Sequence, residues 1–153
     1  MDVARLVELN AAYARAIDNE QFEQWPKLFH DPCLYKLTTA ENVAKGLESG
    51  IMYADSRAML QDRVSALRKA NIYESQRHRH LIGLPRVRTN NGESATVETG
   101  FAVLRIVRAG ATEVFASGRY LDEVVHEDGA CRLRRRDVVC DSSRVDTLLA
   151  IPL

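Results

Sequence analysis

Two histidines stand two residues apart, His78 and His80, in the run Gln76-Arg-His-Arg-His-Leu-Ile82. On a strand that spacing sends both imidazoles to one face. A third ligand such as a carboxylate could complete a metal site there. No such group stands at an informative spacing, and the neighbours Arg77 and Arg79 are cationic. The pair therefore reads as polar residues at a sheet surface or an interface. No CxxC, HExxH or CxH pattern occurs, so an iron–sulfur or structural zinc site has no support. Asp18 closes the segment Ala11-Ala-Tyr-Ala-Arg-Ala-Ile-Asp18. Projected into an apolar cavity it would rise in pKa and could act as a general base, with His80 or a tyrosine opposite. The competing reading is local, with Asp18-Asn19 bonding backbone amides where one helix stops and the next begins.

The arginines are the other chemical feature. The chain holds four lysines against seventeen arginines, with a net charge of zero. Neutrality argues against general nucleic-acid or anionic-membrane binding, whereas arginine in place of lysine suits ion-paired interfaces. In Cys131-Arg-Leu-Arg-Arg-Arg-Asp137, strict alternation puts Arg132, Arg134 and Arg136 on one face and Cys131, Leu133 and Arg135 on the other. Arg77, Arg79, Arg86 and Arg88 form a second cluster. The segment Asp146 to Leu153 is apolar to its last residue, which predicts docking on its own domain or on a neighbour. Cys33, Cys131 and Cys140 are odd in number and unpaired in spacing. They read as reduced packing residues of a cytoplasmic chain.

The elements that must position these groups follow from periodicity. Val3, Leu6, Val7, Asn10, Tyr13, Ala14 and Ile17 recur with helical spacing, and Phe22, Trp25, Leu28 and Phe29 form a second short stripe. His30-Asp31-Pro32 predicts a turn before a strand at Cys33 to Thr39. Residues 42–50 are ambiguous, 51–54 suggest a short strand, and a helix follows from Asp55 or Ser56 to Ala70. Beyond this everything reads as strand. Ser75 to Arg88 bends at Gly83 and Pro85, and then come Ala95 to Val107, Thr112 to His126 and Cys131 to Cys140, joined by short turns. Helices followed by a meander of long antiparallel strands give an α+β plan, with the helices packed into the concave face of a curved sheet. The 153 residues, 46% hydrophobic and 27% charged, suit a single domain over 1–153 with one sizeable core.

Residues throughout the chain carry a resemblance. Tyr13 to Asp18, Glu23-Gln-Trp25, Phe29 and Cys33-Leu-Tyr35 resemble the opening of the small (beta) subunits of aromatic-ring-hydroxylating dioxygenases. The series continues through Ala54-Asp-Ser56, Met59-Leu60, Asp62-Arg63, Ala66-Leu-Arg68, Asn71 to Glu74, Arg77 to His80 and Leu84-Pro85. Phe115-Ala-Ser-Gly118, Tyr120-Leu-Asp122, Val139 to Ser142 and Asp146 to Leu153 complete it. Within that family the series resembles the terephthalate 1,2-dioxygenase branch, with salicylate- and anthranilate-type hydroxylases as neighbours. No single piece is a catalytic motif; the specificity lies in the collinear order.

The resemblance implies the cone-shaped fold of nuclear transport factor 2 and ketosteroid isomerase, and a chain without a catalytic centre. It implies three small subunits beneath three large ones in an α3β3 oxygenase of aromatic catabolism. The large subunit would carry the Rieske [2Fe-2S] cluster and mononuclear iron, and a reductase would bring electrons from NAD(P)H. On that reading His78, Arg79, His80, Arg134, Arg136 and the tail residues Leu148, Leu149, Ile151 and Leu153 are expected at subunit contacts. The principal rival is a stand-alone isomerase or dehydratase of the same fold, using an Asp18/His80 pocket. A ligand-binding or scaffolding cone unrelated to oxygenases is the third possibility.

Overall fold

A computed structural model of the chain describes residues 1–48, 50–70, 76–143 and 151–153. Helix α1 (Val3–Asp18) opens at Asp2, whose carboxylate accepts the Ala4 N–H, and buries Leu6, Leu9, Asn10, Tyr13, Ala16 and Ile17. The stripe has the expected spacing but a rotated centre. It is built around the larger Leu6, Leu9, Tyr13 and Ile17, leaving Val3 and Val7 on the exposed margin. Two single turns of 3-10 helix, Phe22–Gln24 and Pro26–Leu28, carry Phe22 and Trp25 into the core.

Strand β1 (Phe29–Thr39) begins four residues earlier than the sequence suggests. Phe29 pairs with Leu133 and regular pairing resumes at Leu34, so residues 30–33 sit in an irregularity of the ladder. Pro32, which has no N–H to donate, is tolerated there. The short helix α2 (Ala40–Ala44), strand β2 (Met52–Ala54) and helix α3 (Arg57–Ala70) follow. Strands β3 (Gln76–Ile82) and β4 (Arg86–Asn90) are the two halves of the bent strand, parted at Gly83 to Pro85, and both pair with β5 (Ser94–Val107). The long strands β6 (Thr112–Glu127) and β7 (Ala130–Cys140) complete the meander.

The sheet order is β2-β1-β7-β6-β5-β3, with β4 also on β5. All pairings are antiparallel except β1 with β7, which run parallel. The long strands curl around α1, and the concave face holds an aromatic core. Trp25, Phe29 and Tyr35 meet edge to face at 5.2–6.1 Å, and Phe101 stacks on Tyr120 at 4.4 Å. Among the described residues, no helix is long and apolar enough to cross a membrane. The three cysteines are free and buried. Burial, aided by nearby carboxylates, pushes the Cys33 and Cys140 thiols up to about 11.

One irregularity changes the reading of β7. Its register with β6 shifts between Glu123, opposite Arg135, and Val124, opposite Leu133. Arg134 is thereby the extra residue of a bulge, and every side chain beyond it changes face. Arg134 and Arg135 are both exposed, and Arg136 turns inward. The strict alternation that grouped Arg132, Arg134 and Arg136 is thus corrected by a one-residue slip in phase.

The same hairpin has a tight approach at Gly118, which faces Cys140. A Cβ there would stand 2.0 Å from the Val139 carbonyl oxygen, so β6 and β7 would have to part. Gly118→Ala is expected to cost about 2 kcal/mol or more, as overpacking against a rigid neighbour does. Urea midpoints of the two proteins measure it, and an unchanged midpoint would contradict the close approach.

Candidate functional site

Four of the polar groups singled out in the sequence, Asp18, His78, His80 and Arg136, converge on the concave interior. Arg136 has no exposed surface. Its Nε and Nη2 donate to the two carboxylate oxygens of Asp122 at 2.8 and 2.7 Å, and Nη2 also reaches Asn10 Oδ1 at 2.6 Å. The pair is built by register, since Asp122 lies directly opposite Arg136 on the adjoining strand. The guanidinium carbon lies 4.3 Å from the Tyr13 ring centre and 3.9 Å from that of Tyr120. Burial works against the charge of Arg136, but the Asp122 carboxylate outweighs it and holds the pKa above its ordinary value. A buried fork of this kind needs a partner for most of its donors.

His78 and His80 do share one face, as their spacing predicts, but it is the inner one. Both are 7% exposed, which corrects their expected place at a sheet surface. β3 is an edge strand, and its concave side is closed by the end of α1. His80 Nδ1 lies 2.6 Å from Asp18 Oδ1, and the His80 backbone N–H donates to Asp18 Oδ2 at 2.8 Å. The structure therefore unites Asp18 with His80, as the enzyme reading required. The local reading, in which Asp18 bonds amides at the helix break, is corrected: the backbone donor it satisfies is on β3, and the next turn of helix has no side-chain cap. His78 packs on Phe115 with ring centres 5.5 Å apart. Among the described residues no three His, Cys, Asp or Glu side chains gather to hold a metal ion.

The tail residues 151–153 are buried in their own domain. Leu153 enters the aromatic core, where its main-chain oxygen accepts from the hydroxyls of Tyr13 at 2.5 Å and Tyr35 at 3.2 Å. Ile151 and Leu153 thus pack within this chain, and Leu148 and Leu149 lie outside the described residues. Of the residues expected at contacts, Arg79 and Arg134 remain on the outer face. Arg134 pairs with Glu123 at 3.0 Å, Arg135 with Asp137 at 2.9 Å, and Arg88 and Arg119 share Glu98. The sequence reading missed an apolar element of this face. Register aligns Arg79 with Leu104 and Val114, and Leu81 with Ala102. Leu81 and Val114 are 53% and 70% exposed. Two large apolar side chains at the outward phase of β3 and β6, on either side of β5, were the available signal.

Removing the Arg136 side chain would strand the Asp122 charge in the core. Arg136→Met is expected to cost about 3–5 kcal/mol, and Arg136→Met with Asp122→Leu to recover much of it. Urea unfolding of both variants measures the difference, and equal losses would contradict the coupling. Burial and the charge of His80 hold the His78 imidazole below its ordinary pKa, against the pull of Asp18. The unfolded chain therefore binds the proton first, and stability falls as pH drops through about 6.5. His78→Gln is expected to flatten that slope in pH-resolved unfolding; an unaltered slope would remove His78 as its source.

Comparison with known proteins gives this geometry its context. The family model described as "Ring hydroxylating beta subunit" matches residues 12–147. Beta subunit 1 of the terminal oxygenase component of terephthalate 1,2-dioxygenase from Comamonas sp. is 50% identical over 149 residues, covering 97% of each chain. The small subunit of anthranilate 1,2-dioxygenase from Burkholderia cepacia is 38% identical over 146 residues, covering 95% of this chain and 90% of that one. A crystal structure described as the beta subunit of an aromatic-ring-hydroxylating dioxygenase from Novosphingobium aromaticivorans superposes with a TM-score of 0.90 at 39% identity, covering 98% of this chain and 95% of that one. That structural match bears out the α+β cone, and the sequence matches bear out the resemblance read from the collinear series. The chain belongs to the ring-hydroxylating beta subunit family, the small subunits of aromatic-ring-hydroxylating dioxygenases.

Proposed function

We propose that this chain is a non-catalytic subunit that trimerises and fixes three large oxygenase subunits in an α3β3 complex. The observation that carries the reading is the 50% identity across 97% of both chains to a terephthalate 1,2-dioxygenase beta subunit. The substrate class follows by the same similarity. Terephthalate and anthranilate, named in the relatives, are both aromatic carboxylates, so an aromatic carboxylate is the substrate of the complex. The Rieske [2Fe-2S] cluster and mononuclear iron reside in the large subunit, with NAD(P)H electrons arriving through a reductase. They supply the oxygen chemistry when bound. This chain supplies geometry, because electrons that pass between neighbouring large subunits require those subunits at a fixed distance and orientation.

The outer face suits that task. A sheet surface with ion pairs and an apolar corner at Leu81, Leu104 and Val114 resembles an interface core within a polar rim. Arg79 borders that corner by register, and Arg134 stands on the bulge of β7. Both are assigned to subunit contacts. The Asp18–His80 pair is assigned to holding the edge strand and not to catalysis, as the beta-subunit relatives favour.

Co-expression with the large subunit tests the reading by native mass and iron content. A six-chain complex carrying iron is expected, with the small chain alone iron-free; a small chain that never associates would overturn it. Arg79→Glu with Arg134→Glu is expected to weaken assembly by about tenfold or more, since reversed charges at a contact oppose docking. An unchanged mass distribution on dilution would remove both arginines from the contact.

A further inference from the structure

Two clusters of large, exposed apolar side chains lie on the sheet, one near each edge. The first is the outer corner of β3, β5 and β6. Leu81 and Val114 are 53% and 70% exposed there, and register sets Leu104 between Arg79 and Val114. Leu84, at the bend between β3 and β4, adds a side chain that is 84% exposed. The second cluster belongs to β2. Met52 and Ala54 point into the core, so alternation turns Ile51 and Tyr53 outward, where they are 45% and 48% exposed. The Ile51 N–H donates to the Leu37 carbonyl oxygen, and Lys36 Nζ donates to the Glu48 main-chain oxygen. Those bonds seat the segment against β1. In sheet order β2 and β3 are the two ends, so the clusters stand at opposite edges of one sheet.

Their rims differ in sign. Arg77, Arg79 and Arg86 are exposed around the β3 corner, where Arg105 and Glu113 pair and cancel. Around the β2 cluster Glu48 and Asp55 are exposed, Glu41 is balanced by Lys45, and the half-buried Lys36 offsets only part of the acidity. Neither surface suits a second copy of itself, because like charges would be brought together around the apolar centre. Each suits the other, as an apolar centre in a basic rim facing an apolar centre in an acidic one. Symmetry makes the same demand. No two-fold axis relates neighbours in a ring of three, so every contact in it must join two different surfaces of the chain.

We propose that the β3 corner of one copy docks on the β2 cluster of the next. Leu81, Leu84 and Val114 then meet Ile51 and Tyr53, and Arg79 faces Glu48 and Asp55. The proposal rests on the trimeric subunit reading and names the surfaces that make its contact. Outward side chains form the joint, so the sheets of the two copies stay separate. Two copies joined in this way leave one surface of each kind free, and a third copy closes the ring.

Cysteines placed at the two centres report the contact in the assembled complex, since Cys33, Cys131 and Cys140 are buried. Tyr53→Cys and Val114→Cys small chains are co-expressed with the large subunit, each alone and both together. The purified complexes are treated with a short bismaleimide and resolved under denaturing conditions. Linked pairs of small chains are expected from the mixture and none from either variant alone. A chain carrying both substitutions is expected to give linked pairs and triples. Should either substitution prevent assembly, Ile51→Cys and Leu81→Cys take their places, with the same outcomes. A single variant that links to itself would show each surface meeting its own kind and overturn the proposal. So would a six-chain complex in which the mixture gives no linked small chains. A native mass holding one small chain per complex would instead overturn the trimeric reading, and the head-to-tail contact with it.

Discussion

The structure hangs on one buried ion pair. Arg136 is fully enclosed against two tyrosine rings and its partner Asp122 is buried beside it, where an unpaired charge would be intolerable and even a paired one is costly. The pair is satisfied only if several things hold together. β6 and β7 must align these two residues, the bulge at Arg134 must turn Arg136 inward, and α1 must dock so that Asn10 and Tyr13 reach the guanidinium. Tyr13 in turn holds Leu153. Sheet register, helix phase and tail position are thus conditions on one another, and the electrostatics reject arrangements that an apolar core of similar volume would accept.

Much of the architecture was legible in the sequence because it is written in local signals. The helical stripe of α1, the bend at Gly83 to Pro85, the turns between the long strands and the order of helices before strands all appear where residue pattern puts them. What was not legible depends on pairing between distant segments. Nothing in the run from residue 29 to 39 says that it lies beside β7 in parallel, or that this neighbour absorbs the proline. A bulge is equally silent, for in three consecutive arginines a slip of one residue leaves the pattern of polarity unchanged. That silence is why Arg136 was grouped with Arg134. The pair spacing of His78 and His80 was informative about parity but not about side, since the sheet's concave direction is a property of the whole fold. The Asp18–His80 contact was anticipated as a pair, while its second bond to the His80 backbone could be recognised only from the position of β3 at the sheet edge.

The division between interior and exterior explains how this cone differs from an open pocket. The inner face is filled by aromatic rings, the ion pair and the tail. The outer face carries ion pairs and is locally apolar.

The hydrogen bond from the backbone of His80 to Asp18 has a wider consequence for how such bodies associate. β3 ends the sheet on its side, and a bare strand there would offer its amides as a template for another chain. The carboxylate of α1 occupies one of those amides, while Arg77 and Arg79 line the strand's outward face with charge. Growth by continuing the sheet from molecule to molecule is thereby blocked at this edge. Association is steered to the faces, where a rotation can close on itself into a finite ring in place of an open-ended fibre.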